Sequence, residues 1–314
     1  MLAISIGKKL VRAVAVLLVV TFVTFCMMFG NADGIAKGVL GLDAQPSDVQ
    51  KEVVKLGLDQ PLLVQYGKWL LGVVTGNLGH SFFTGQSVNE ALATRVPVTF
   101  SLVIVTLILT MLLSVVIGVT SAIYGGWIDR CVQFLTVLGA AVPAFIIGVA
   151  LVFAFAVAIP LFPATGYVPL TQDPSGWSKS IALPVLALLI GSVAGAASQI
   201  RGAVLDVQGR DFVRTLRARG IRETPLLFRH VLRSASGPGL TALSLQTIAL
   251  LGGAVFVEQI YALPGIGQLA NTAAQQGDVP IVMGIVLVTI VFVLIVNLLG
   301  DVANAALNPK SRVR

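Results

Sequence analysis

Stretches of about twenty apolar residues, the length a helix needs to cross a bilayer, recur along almost the whole chain, and nothing else in the sequence constrains the fold as strongly. Six such stretches are read: Leu10 to Phe29, Thr99 to Tyr124, Phe134 to Ile159, Ile181 to Ile200, Gly239 to Val257 and Ile281 to Val302. Only 11% of the 314 residues are charged, against about 25% in a soluble domain, and mean hydropathy is +0.93. The expectation is an all-α polytopic membrane protein with six transmembrane helices. A soluble core is excluded.

Charge placement orients the spans. Of the 21 Lys and Arg residues, fifteen lie in the N-terminus (Lys8, Lys9, Arg12), the loop at Gly125 to Gln133, the segment Arg201 to Arg233 and the C-terminus (Lys310, Arg312, Arg314); six lie in the alternate segments. The positive-inside bias therefore places both termini in the cytoplasm. The charged start resembles a signal peptide, but no small-residue cleavage pattern follows near Gly30, so residues 1–30 are read as a retained anchor helix. The net charge of +7 has no aromatic-basic motif beside it, so it is assigned to topology rather than to nucleic acid.

Residues 31–97 form an external segment with near-balanced charge. Ser47 is expected to cap a helix over Asp48 to Leu56 that Gly57 closes. Pro61 to Val74 is too short for a span and suits a packed or interfacial helix. Gly125 to Gln133 is read as a tight loop, and Pro143 as a proline tolerated within the third span. Pro160 to Ser180, with Trp177 at interface depth, and Glu258 to Pro280 are read as external loops. Gly191, Ala194, Gly195 and Ser198 give the fourth span a small-residue face for close helix contact.

Candidate chemistry is sparse. No GxxxxGK[ST] phosphate cradle occurs, since Gly7-Lys8 runs into Lys9 and Gly67-Lys68 into Trp69. His80 and His230 fall on opposite sides of the membrane without a Cys or second His for zinc, and Cys26 and Cys131 have no ligand spacing. The span interiors hold no Asp, Glu, Lys or Arg apart from Glu258 and Asp301 near ends, which argues against an ion-driven carrier. Gln199, Ser244, Gln246, Thr247 and Asn297 could line a polar path or simply bond between helices. What stands out is Asp211 to Pro238, a cytoplasmic segment with six Arg between Arg214 and Arg233. Gly220 and Pro225 divide it into two short helices. Its interleaved Phe212, Val213, Leu216, Leu226, Leu227 and Phe228 give a basic and apolar surface suited to a groove on a protein partner. A topology-setting loop would need the arginines but not the apolar set.

Several ordered motifs resemble one family. In the basic segment these are Phe212-Val213-Arg214-Thr215, Arg217-Ala218, Gly220, Arg229-His230, Leu232-Arg233 and Pro238. In the external segment they are Gly57-Leu58-Asp59-Gln60-Pro61-Leu62, Gln65-Tyr66, Trp69, Gly76-Asn77-Leu78-Gly79 and Ser81, and near the fifth span Glu258, Pro264 to Leu269 and Asp278-Val279-Pro280. Together they resemble the B-type permease of the dipeptide and oligopeptide ABC importers, with the basic segment similar to its EAA loop. Leu216, Arg219, Ser234 and Asn77 depart from the family pattern, as does Gly30-Asn31-Ala32 where Gly-Asp-Pro is usual.

The resemblance implies a type I ABC importer permease fold with an external segment after the first span. It also implies a permease domain over 98–304, a coupling loop over 205–238 and a cytoplasmic tail over 305–314, in a bacterial cell membrane. It implies a second homologous permease, two ATPase subunits or one fused ATPase, and an external substrate-binding protein. No cofactor is expected on this chain, ATP and Mg being held by the partners, so the chain itself is not an enzyme. Coupling to the ATPase would fall on Arg214, Leu216, Arg217, Ala218, Gly220, Arg222, Glu223, Leu226, Phe228 and Arg229; binding-protein contact would fall on Trp177, Glu258, Tyr261, Pro264 and Gly265. The cargo would be a dipeptide or oligopeptide, with nickel chelate, glutathione-like peptide, haem or oligosaccharide as alternatives. A stand-alone secondary carrier or a structural scaffold is the competing class.

Overall fold

The computed structural model describes residues 2–29, 32–41 and 43–307. Gly30, Asn31 and the tail with Lys310, Arg312 and Arg314 lie outside the described residues, as do the side chains of Lys8 and Lys9. Among the described residues the chain is helical, its one β-bridge joining His80 and Ser87. Five helices are long and apolar enough to cross a membrane: α1 (Leu2–Met28), α5 (Val88–Tyr124), α8 (Pro174–Gln208), α11 (Leu232–Ile260) and α13 (Val279–Leu307).

The sixth span is two helices rather than one. Helix α6 (Gly126–Ala141) and helix α7 (Ala144–Val152), which continues as π-turns to Ala158, meet at a bend of 92°. Pro143 causes the break: it lacks the N–H a continuing helix would use, and Val142 before it is extended, at φ −91° and ψ 119°. Tolerance of this proline inside a straight span is thereby overturned. The expected loop at Gly125 to Gln133 is corrected too. Only Gly125 and Gly126, both at φ +57°, make the turn, and α6 starts at once.

The chain divides into two compact units. The first comprises residues 1–97 and 264–294. It holds α1, α2 (Ala32–Leu40), α3 (Pro46–Lys55), α4 (Leu62–Thr75), α12 (Ile266–Gln276) and the starts of α5 and α13. Helix α3 begins two residues earlier than the Ser47 cap implied, with Gln45 at the cap and Pro46 preset for the first helical position, and Gly57 at φ +69° ends it. The core gathers Phe25, Val49, Val53, Leu58, Tyr66 and Met283. Tyr66 is the pin between α4 and α1: its hydroxyl lies 2.9 Å from Thr21 Oγ1 and donates to the Leu18 carbonyl at 3.2 Å, and its ring meets Phe22 and Phe25 edge-on. Two distant motifs also meet in this unit. Ser81 Oγ donates to Asp278 Oδ2 at 2.5 Å and the Phe82 N–H donates to Oδ1 at 3.2 Å, while burial pushes the Asp278 carboxyl above its usual range. The presumed loop from Glu258 to Pro280 is structured, with α12 inside it.

The second unit comprises residues 98–263 and 295–314. Helix α8 is its centre, packed by α6, α7 and α11. Ala194, Ala196 and Ala197 are buried, whereas Ser198 of the expected small-residue face is exposed. Trp177 stands in the first turn of α8 rather than in a loop; Asp173 caps that turn by accepting from the Ser175 N–H. Close approach of α5 needs Gly118, where a Cβ would stand 2.7 Å from the Ala197 carbonyl and 3.1 Å from the Arg201 nitrogen. Both are backbone atoms that cannot swing aside. Gly118→Ala is therefore expected to cost about 1–3 kcal/mol of overpacking strain, read as a lower unfolding temperature of the purified chain.

Candidate coupling site

The basic segment opens with α9 (Asp211–Ala218), stops at Gly220, resumes as the single turn α10 (Glu223–Pro225), and passes through π-turns over Leu226–Val231 into α11. Helix α9 ends in a two-bond cap. The Gly220 N–H donates to the Arg217 carbonyl at 2.9 Å and the Ile221 N–H to the Leu216 carbonyl at 3.3 Å. That geometry needs a left-handed residue, and Gly220 sits at φ +78°. Ile221 and Leu216, the apolar pair that accompanies such a cap, pack against the same core. Arg217 then bridges the turn with a bidentate pair to Glu223, at 2.7 and 3.1 Å. Both side chains are exposed, so the pair adds little to stability; its effect is to set the angle between α9 and α10.

The apolar residues of this segment divide into two groups. Val213, Leu226 and Val231 are buried and join Val119 and Ala122 of α5 and Ile200, Val204 and Val207 of α8 in one core, with Leu216 and Leu227 packed against it. Phe228 is 64% exposed and Phe212 38%. Leu216 and Leu226 therefore anchor the segment to the bundle, while Phe228, Arg229, Arg214, Ala218, Arg219 and Arg222 form the open face. The second short helix is no separate piece. Pro238, expected at the loop's edge, lies inside α11, so the segment and the fifth span are one continuous element.

A polar tie lies beside this core. Asp129, in the first turn of α6, accepts from Arg201 Nε at 2.5 Å and its terminal nitrogen at 2.6 Å, from Ser121 Oγ at 2.5 Å and from Gln133 at 2.8 Å. Side-chain exposure is only 24% for Arg201 and 15% for Asp129. Three helices, α5, α6 and α8, are thereby held together next to the coupling core. Sequence reading missed the tie because Asp129 was placed in a loop and Arg201 was counted only as an inside charge.

The polar-path residues do not all come together. Ser244 and Asn297 line one cleft of about 270 Å³ between α11 and α13, with Thr241, Asp301 and Asn304, three groups that sequence reading left out. The cleft exists because Gly300 lies against Ser244 Oγ and Gly237 against the Asn304 amide. Thr247 is buried and returns its hydroxyl to the Leu243 carbonyl at 3.1 Å, Gln246 lies half-buried near Gly195, and Gln199 is exposed on α8.

Of the outer residues in the second unit, Glu258 is fully buried and bonded to Thr99, and Tyr261 is buried with its hydroxyl donating to the Gly148 carbonyl at 3.0 Å. Both are internal struts rather than free surface. Trp177 is half-buried. Pro264 is exposed and Gly265 buried. Among the described residues no group of three or more His, Cys, Asp or Glu could hold a metal ion.

This architecture has counterparts. The structure resembles a chain of an inward-facing methionine ABC transporter, with a TM-score of 0.53 at 18% identity, covering 70% of this chain and 97% of the other; the likeness establishes the type I permease fold. A family model described as the binding-protein-dependent transport system inner membrane component matches residues 114–313, and a model for the N-terminal part of such membrane components matches residues 1–103. The chain belongs to this family. As an ABC importer permease it aligns over nearly its full length with two named relatives. The oligopeptide transport system permease protein AppB of Bacillus subtilis is 32% identical, covering 98% of this chain and 99% of the relative. The glutathione transport system permease protein GsiC of Salmonella paratyphi A is 32% identical, covering 98% of both. A Brucella melitensis protein named for a peptide transport system permease is 35% identical over 99% of each chain. The permease is thus a multi-pass membrane protein of the ABC importer class.

Proposed function

We propose that this permease forms half of the translocation pathway of a peptide importer in a bacterial cell membrane, with both termini cytoplasmic. A second homologous permease would supply the other half, two ATPase subunits or one fused ATPase would hold ATP and Mg, and an external protein would deliver the peptide. In this reading residues 31–97 are the external segment, 98–304 the permease domain and 305–314 the cytoplasmic tail. The observation that carries the proposal is the coupling segment itself: exposed Phe228 and arginines face outward, buried Val213 and Leu226 tie into α5 and α8, and the chain continues unbroken into α11. A push on the exposed face is therefore delivered to three spans. The cleft holding Ser244 and Asn297 is a polar surface on α11 and α13, and α11 is continuous with that lever. A glutathione-like peptide is the favoured alternative cargo, supported by the full-length match to a glutathione permease.

Reconstitution tests the reading. Liposomes holding the complete complex should accumulate labelled peptide only with internal ATP and external binding protein, and the permease alone should pass none under an ion gradient. Gradient-driven flux through the permease alone would instead establish a secondary carrier.

A further inference from the structure

The first unit contains a pocket of about 280 Å³ with apolar walls, two lysines, two glutamines and an indole N–H, and no carboxylate among the described residues of its lining. Phe25, Phe29, Phe82 and Val279 supply the walls. Trp69 lines it, and its indole Nε1 is buried with no hydrogen-bond partner among the described residues, an orphaned donor of the kind that native structures rarely leave. Lys68 also lines it, and its ammonium contacts the neutral Gln60 amide oxygen at 2.6 Å, whereas the neighbouring Lys55 is neutralised by Glu52 at 2.9 Å. An unsatisfied donor beside a cation without a carboxylate calls for an oxyanion. The walls call for an apolar body attached to it.

Position selects the occupant. Phe25 belongs to the last turn of α1, Phe29 follows that helix directly, and Val279 opens α13, so the pocket lies where two spans reach the end of the hydrocarbon layer. Its volume, at the low end for a ligand site, suits a headgroup and the first methylenes rather than a whole lipid. We propose that this pocket binds an anionic phospholipid, with the phosphate on Lys68 and the Trp69 N–H and the first acyl methylenes against Phe25, Phe29 and Phe82. Only the choice of leaflet, the outer one, rests on the orientation proposed above.

The full-length chain, with the partners it purifies with, would be held in nanodiscs of equal phosphatidylglycerol and phosphatidylcholine, exchanged into mild detergent, and its retained lipids measured by mass spectrometry. Phosphatidylglycerol should be enriched about five-fold, the effect of one ammonium at the membrane surface. Lys68→Gln should return the ratio to that of the bulk lipid, and Trp69→Phe should lower the total phospholipid retained, both at unchanged recovery of the complex. A bulk ratio in the unmodified chain, enrichment that survives Lys68→Gln, or lipid retention untouched by Trp69→Phe would overturn the site. Release of the lipid by soluble glycerol 3-phosphate would assign the pocket to a free phosphate. Protection of Lys68 from amine acylation by an external protein but not by phosphatidylglycerol would assign it to a protein carboxylate; either result contradicts the proposal.

Discussion

Asp129→Ala should reduce the folded permease recovered from membranes several-fold and lower its unfolding temperature, with ATP-driven uptake falling in proportion to the protein that remains. The substitution strips Arg201 of both short bonds from its guanidinium and leaves Ser121 and Gln133 without their acceptor. Removing one partner of a largely enclosed pair is far worse than never having had it, because the remaining charge has been taken from water without compensation. A loss of this kind reaches the cell as lower abundance. Arg201→Ala should do less harm, since Asp129 would keep Ser121 and Gln133 as donors, and the exchange Asp129→Arg with Arg201→Asp should recover part of the loss. Thermal unfolding followed by size-exclusion fluorescence ranks the three variants. Equal stability for Asp129→Ala and the unmodified permease would show that the tie contributes nothing.

Gly220→Val should separate ATP hydrolysis from transport: the complex inserts and hydrolyses ATP, yet peptide uptake drops to a small fraction of normal. At φ +78° a β-branched side chain meets the following carbonyl, costing about 1–2 kcal/mol. The segment can relieve this by giving up the two-bond cap that joins Leu216 and Arg217 to Gly220 and Ile221. Helix α9 would then lose its fixed angle to α10, and the Arg217–Glu223 pair would no longer close across the turn. Val213 and Leu226 remain in their core on either side, so the bundle itself should survive. Parallel assays of ATPase rate and uptake in the same liposomes read the separation. Normal uptake in Gly220→Val would remove the Gly220 cap from the mechanism.

How much of this was legible in the sequence depends on the range of the signal. Apolar run length is local and found the five single-helix spans, and Gly220 was located because a helix stop is written in one residue. Pro143 was seen but misjudged, since the proline alone does not say whether neighbouring helices will absorb a kink or the chain will turn through 92°. Burial of Leu226 and Val231 on one face, five residues apart, follows from π-turns that the ordinary α-helical period does not anticipate. Contacts across the chain were not readable: Asp129 and Arg201 are separated by 72 residues and Ser81 and Asp278 by 197, so nothing in either stretch names its partner. Motif resemblance did place Ser81 and Asp278 among the informative residues. Their hydrogen bond supplies the physical reason.

Phe228→Asp tests most directly whether ATPase subunits act on this permease through the exposed face of its coupling segment, as proposed above. Phe228 is 64% exposed and lies outside the core that holds Val213, Leu226 and Val231, so a carboxylate there should leave the unfolding temperature unchanged while spoiling an apolar seat on the partner. Affinity-tagged permease should bring down the ATPase and a second permease in a detergent known to preserve such complexes. The Phe228→Asp variant should bring down the second permease and lose the ATPase. Retention of the ATPase by Phe228→Asp with uptake at the normal rate, or recovery of the unmodified permease without any ATPase, would contradict the account.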